Sequence, residues 1–286
     1  MNRIKYFLIL IFIQGCAQKP YYGDLTFLGK LPSKLSEISG IVSLDGTTIW
    51  AIEDNGNKDD IYKVNLEGKI IKKFDVKDAE NKDWEDLAKD NLGNLYIGDF
   101  GNNANDRKNL CIYKLPSPEN ETGNKIEAKK IKFHYPEQDE FPPKKSELVY
   151  DCEAFFYRDG FLYLITKNRT KPYNGKALIY KIPAAKGTYT AELVGEFTAC
   201  IDSQFCSITA ADISPNGKKI VLLGSGFIWL FTDFASDDFT KGVLTTIDVK
   251  HRTQQESICF LDNNLLVIAD EQSKTKGRNL YSYKID

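Results

Sequence analysis

One pattern repeats five times along the chain, and internal repetition constrains a fold more tightly than any local motif. The segments Ser39-Gly-Ile-Val42, Glu85-Asp-Leu-Ala88, Glu153-Ala-Phe-Phe156, Ala211-Asp-Ile-Ser214 and Glu256-Ser-Ile-Cys259 each precede a short polar turn. Those turns carry Asp45-Gly46, Gly93-Asn94, Asp159-Gly160, Asn216-Gly217 and Asn263-Asn264, and each leads into an aliphatic run such as Ile49-Trp-Ala-Ile52 or Leu265-Leu-Val-Ile268. Strand, tight turn, strand is the implied unit. A third run follows in every copy (Ile61-Tyr-Lys-Val64, Ile112-Tyr-Lys-Leu115, Ile179-Tyr-Lys-Ile182, Ile228-Trp-Leu-Phe231, Tyr283-Lys-Ile285), and a looser fourth follows in all but the last. The last copy ends with the chain, and Leu25-Thr-Phe-Leu28, which precedes the first copy, can supply its missing strand. Four strands per unit with the two ends closing one unit together predicts an all-β propeller of five blades, an arrangement without open sheet edges. Six blades are the alternative. The interval from Glu85 to Glu153 is the widest, but between Pro116 and Tyr150 it holds a single strand-like run. The propeller is expected to occupy residues 24–286.

Repetition also gathers carboxylates that are far apart in sequence. In a propeller the start of each first strand lies beside the end of the second, on one face. The starts carry Glu85, Glu153 and Glu256, and the ends carry Asp54, Asp99 and Asp270, with Lys167 completing the series. Asp54-Asn-Gly-Asn57 and Asp99-Phe-Gly-Asn102 share a longer motif whose glycines would let the asparagines, Asn102 among them, turn back to the same rim. Like charges crowded at one mouth should hold a cation, share protons or pair with Lys167. An all-oxygen donor set suits Ca²⁺, whereas zinc prefers His or Cys, and the chain has only two histidines. The alternative is structural: the glutamates could accept backbone N–H groups of neighbouring blades. With 38 basic against 40 acidic residues there is no excess of positive charge for a nucleic-acid partner.

The stretches Glu37-Ile-Ser-Gly-Ile41, Ile61 to Lys69 and Asp83-Trp-Glu-Asp-Leu-Ala88 resemble the SdiA-regulated family of bacterial envelope proteins. That resemblance implies a five-bladed, calcium-binding propeller, distantly similar to NHL repeats, and no established reaction. A looser similarity to gluconolactonase and regucalcin-type hydrolases would put Glu85, Glu153 and Glu256 at the metal-binding position. Two functions follow as expectations. One is a calcium-binding propeller whose channel mouth takes a small ligand or an envelope protein. The other is a metal-dependent hydrolase of a phosphoester or lactone, with Glu153 or Asp99 as general base.

The amino terminus reads as an address. Arg3 and Lys5 precede the apolar run Tyr6 to Ile13, too short to span a bilayer, and Ile13-Gln-Gly-Cys16 resembles a bacterial lipobox. Residues 1–15 are expected to be a signal peptide, with Cys16 acylated and residues 16–23 a tether. Ala17 in place of Asp points to an outer-membrane lipoprotein facing the periplasm. Among the remaining cysteines, Cys200 and Cys206 bracket a short loop and are expected to pair in an oxidising envelope.

Overall fold

The computed structural model describes residues 21–285, so the signal, Cys16 and most of the tether lie outside the described residues. Strand β1 (Thr26–Lys30) precedes a first blade of β2 (Ile38–Val42), β3 (Thr48–Glu53), β4 (Asp60–Asn65) and β5 (Ile70–Lys77). The second blade has β6 (Trp84–Lys89), β7 (Leu95–Asp99) and β8 (Cys111–Leu115), then a short β9 (Lys125–Glu127) and β10 (Lys129–His134). The third has β11 (Asp151–Arg158), β12 (Phe161–Lys167), β13 (Lys176–Pro183), a short β14 (Gly187–Thr190) and β15 (Glu192–Thr198). The fourth has β16 (Ala210–Ile213), β17 (Ile220–Gly224), β18 (Phe227–Thr232) and β19 (Val243–Asp248). The last has β20 (Gln255–Phe260), β21 (Leu265–Asp270) and β22 (Asn279–Lys284).

Five sheets result, each built on a four-stranded antiparallel meander and two of them carrying a fifth strand, and β1 pairs antiparallel with β22 to complete the last. The five-blade reading and the closure by the N-terminal strand therefore hold. Turn chemistry sets the hairpins: Asp45 Oδ1 accepts the amides of Thr47 and Thr48 at 2.8 and 2.7 Å, and Gly46 has φ +72°. The innermost strands β2, β6, β11, β16 and β20 stand side by side around the axis, the last touching the first.

The core is divided among the joints. Five apolar clusters each lie between adjacent blades, from Trp50, Phe74, Trp84 and Tyr113 between the first and second to Leu35, Ile41, Tyr62 and Val267 between the fifth and first. One feature departs from four strands per blade. The short strands β9 and β14 leave their own blades and pair in parallel with β5 and β10, the outer strands of the preceding blades.

Candidate functional site

Four of the five inner strands share an irregularity at their starts. Pairing skips a residue between Ile38 and Gly40, Trp84 and Asp86, Cys152 and Ala154, and Gln255 and Ser257. The skipped residues are Ser39, Glu85, Glu153 and Glu256. A bulge turns its extra side chain out of the regular alternation, which here aims all four at one mouth of the channel. The fourth blade pairs without a shift, and Thr209, just before β16, lines the mouth there.

The resulting cavity of about 170 Å³ is walled by Asp54, Glu85, Glu153, Lys167, Arg169 and Glu256, among others. Its two sides differ in charge. On one, Glu153 is clamped by Lys167 Nζ at 3.1 Å and Arg169 Nη2 at 2.8 Å, while Arg169 Nε holds the buried Asp151 at 2.6 Å. Burial acts to raise the Glu153 carboxyl, but the two cations outweigh it and hold the group below its ordinary range. Arg169 follows the repeat run rather than belonging to it, so repeat alignment does not reveal it.

The opposite side is acidic, and among the described residues no ion pair reaches it. Asp54, Asp83 and Glu85 each offer a carboxylate oxygen, and the three oxygens lie within 4.8 Å of one another. Asn55 Nδ2 donates to Asp83 Oδ1 at 2.8 Å, and the Asn55 amide donates to Asp54 Oδ1 at 2.5 Å, so both aspartates are held in place. Glu85 is only 8% exposed, and none of the hydrogen bonds or ion pairs around the mouth engages its carboxylate. Burial, with the nearby charges of Glu153 and Asp54, pushes it well above its ordinary range, and burial raises Asp54 to about 7. Gly101 is what makes room. A Cβ there would stand 2.1 Å from Glu85 Oε1 and 2.5 Å from Asp83 Oδ2.

Three residues read from sequence as rim groups are engaged elsewhere. Asp99 is buried against Arg107 Nη2 at 2.9 Å. Asp270 accepts the Asn279 amide at 2.6 Å and the Tyr281 hydroxyl at 2.9 Å. Asn102 reaches Tyr150 O at 3.1 Å and accepts the Arg107 amide at 2.9 Å, while its neighbour Asn103 is the one lining the mouth. Asp99 and Asp270 hold the loop or strand that follows them within their own blades, and Asn102 ties its loop to the start of the next blade at Tyr150. Asp83, which in sequence is only an acid beside the expected Glu85, joins the cluster instead. The sulfurs of Cys200 and Cys206 are bonded, with Cα atoms 5.5 Å apart, and Cys111, Cys152 and Cys259 are buried thiols.

No family model matches the chain, and no curated protein matches its sequence. Its fold is similar to that of the PQQ-bound aldose sugar dehydrogenase from Streptomyces coelicolor, with 9% identity and a TM-score of 0.51 over 93% of this chain and 99% of that one. The WD40 β-propeller domain of Doa1 is a looser match, with 12% identity and a TM-score of 0.38 over 92% of this chain and 73% of that one. At such identities the likeness concerns the fold alone, and what it establishes is a β-propeller.

Proposed function

We propose that the protein is a calcium-binding propeller of the bacterial envelope, with the ion held by Asp54, Asp83 and Glu85 at the channel mouth. The observation that carries this reading is the buried Glu85 carboxylate, which among the described residues has no hydrogen-bond or ion-pair partner and stands beside two positioned aspartates. A cation is the partner such a group needs, because several ionised oxygens in a low-dielectric cleft repel one another. The all-carboxylate donor set suits calcium. Three carboxylate oxygens within 4.8 Å of one another are near enough to share one ion, and a flexible coordination shell leaves room for water or a ligand oxygen. The resemblance to SdiA-regulated proteins agrees with this assignment, and lipidation at Cys16 would place the mouth in the periplasm. Nothing favours the hydrolytic reading, since both of its candidate bases, Glu153 and Asp99, are ion-paired.

Calorimetric titration with CaCl₂ tests the site. Saturable binding is expected, and free calcium at about a hundredfold over Kd should stabilise the fold by about 2.7 kcal/mol. Glu85→Gln and Asp83→Asn should each weaken binding at least tenfold without unfolding the protein. A flat titration with folded wild-type protein would overturn the assignment. The anchor is checked separately: Cys16→Ser should convert a detergent-partitioning protein into a soluble or unprocessed one.

A further inference from the structure

A second and larger cavity, of about 490 Å³, opens beside the acidic mouth, and Glu271 belongs to the walls of both. This volume lies in the range that encloses small organic ligands. One wall is the loop closed by the Cys200–Cys206 disulfide, which presents Phe205. That loop is seated firmly: a Cβ on Gly224 at the end of β17 would meet Phe205 O at 2.8 Å. The floor is Arg252, whose guanidinium lies 4.4 Å from the Phe227 ring centroid and 5.6 Å from that of Phe205. It also donates to Gly226 O at 2.9 Å and pairs with Asp248 at 2.7 Å, so its charge is already matched. The far wall is the β21–β22 connection, folded back on itself by the Ser273–Lys276 bridge.

Two observations indicate what this cavity takes. Lys274 and Lys276 stand at its edge, exposed, and neither ammonium has an ion-pair partner among the described residues. Phe205 supplies an apolar face in the same lining. We propose that this cavity is a ligand site for a small organic anion, its carboxylate or phosphate oxygens on Lys274 and Lys276 and its apolar body on Phe205. Two unpaired ammonium groups next to an aromatic wall match that chemistry, and a neutral sugar would leave both charges unused. The proposal does not rest on a cation at the mouth, although Glu271 lines both cavities.

The test is amide chemical-shift mapping of the calcium-free protein with phenyl phosphate, benzoate and glucose as probes. Saturable shifts at Thr253, Thr275 and Gly277 with one or both anions, and none with glucose, are expected, and the tighter anion identifies the head group. Lys274→Gln combined with Lys276→Gln should weaken anion binding at least tenfold while the melting temperature and the calcium titration stay unchanged. Phe205→Ala should weaken phenyl phosphate more than inorganic phosphate. Absence of saturable shifts with either anion, glucose binding in their place, or anion binding that survives loss of both lysines would overturn the assignment.

Discussion

Asp86 Oδ1 accepts the Leu87 amide at 2.8 Å, and Oδ2 accepts the Phe155 and Ala211 amides at 3.1 and 3.3 Å, so one carboxylate ties the inner strands of three blades. Asp212 repeats the device, taking the Phe260 amide at 2.8 Å. The structural task that sequence reading offered to Glu85, Glu153 and Glu256 thus falls to the aspartates one residue after the ring position, leaving Glu85 free for a ligand. Asp86→Ala should cost about 3 kcal/mol or more in a urea melt, because two inter-blade amides lose their acceptor in a dry interior, and Asp86→Asn should not restore it, because its NH₂ would face an amide donor where an oxygen now accepts. A second test concerns pH. Burial pushes Glu256 and Glu271 up to about 7. Each binds its proton more tightly folded than unfolded, so the stability it contributes is full below about pH 4.5 and is lost as pH rises through 7. The calcium-free protein should melt several degrees lower at pH 8 than at pH 5, and Glu256→Gln should flatten that slope; an unchanged slope would remove Glu256 as its source. Residues in the repeat, such as Glu85 and Glu153, were legible because alignment exposes them. Asp83 and Arg169 were not, since nothing in a one-dimensional spacing tells which flanking charges a bulge and a loop bring to the same cleft.

Beyond single residues, the connection between the third and fourth strands is the element that stitches each blade to the one before. In the second and third blades it forms β9 and β14, which extend the preceding sheets. In the fourth it is the 3-10 turn Phe239–Lys241, whose buried Phe239 packs against Phe156 and Phe231. In the first it is a tight turn, where a Cβ on Gly68 would meet Lys30 O at 2.3 Å. In the fifth the chain ends supply it, and the Asp24 amide donates to Val249 O at 2.8 Å. None of this could be read from sequence. Strand β9 is three residues, Lys-Ile-Glu, in a stretch of polar residues, and its only alternation is one buried isoleucine. Ile126 is nevertheless 2% exposed in the cluster between the first two blades. Ile126→Ala should therefore cost about 2–4 kcal/mol in a denaturant melt, as a buried core truncation does, and a loss under 0.5 kcal/mol would show the latch to be decorative.

At the scale of the whole ring, each blade has two neighbours and every apolar cluster belongs to a joint, so stability is shared around a circle. A linear array would fray from its ends. This one has its ends inside a blade: Leu25 lies in the cluster between the fourth and fifth blades, and Leu31 and Leu35 in that between the fifth and first. Such an arrangement was legible in outline from the missing strand of the last repeat, although β1 runs over Thr26–Lys30 and not Leu25 to Leu28. Removing residues 21–30 takes the outer strand from the fifth blade, strips apolar groups from both joints flanking it and exposes the edge of β22. The deletion should lower the melting temperature of the entire domain in one cooperative transition, seen alike by tryptophan fluorescence from Trp50, Trp84 and Trp229 in the first, second and fourth blades. Trimming only Gln18 to Pro20 should leave the melt unchanged. If the deletion instead produced two transitions, with the Trp84 signal melting as in the intact protein, the blades would be acting as a linear array and closure by β1 would not be what holds the ring.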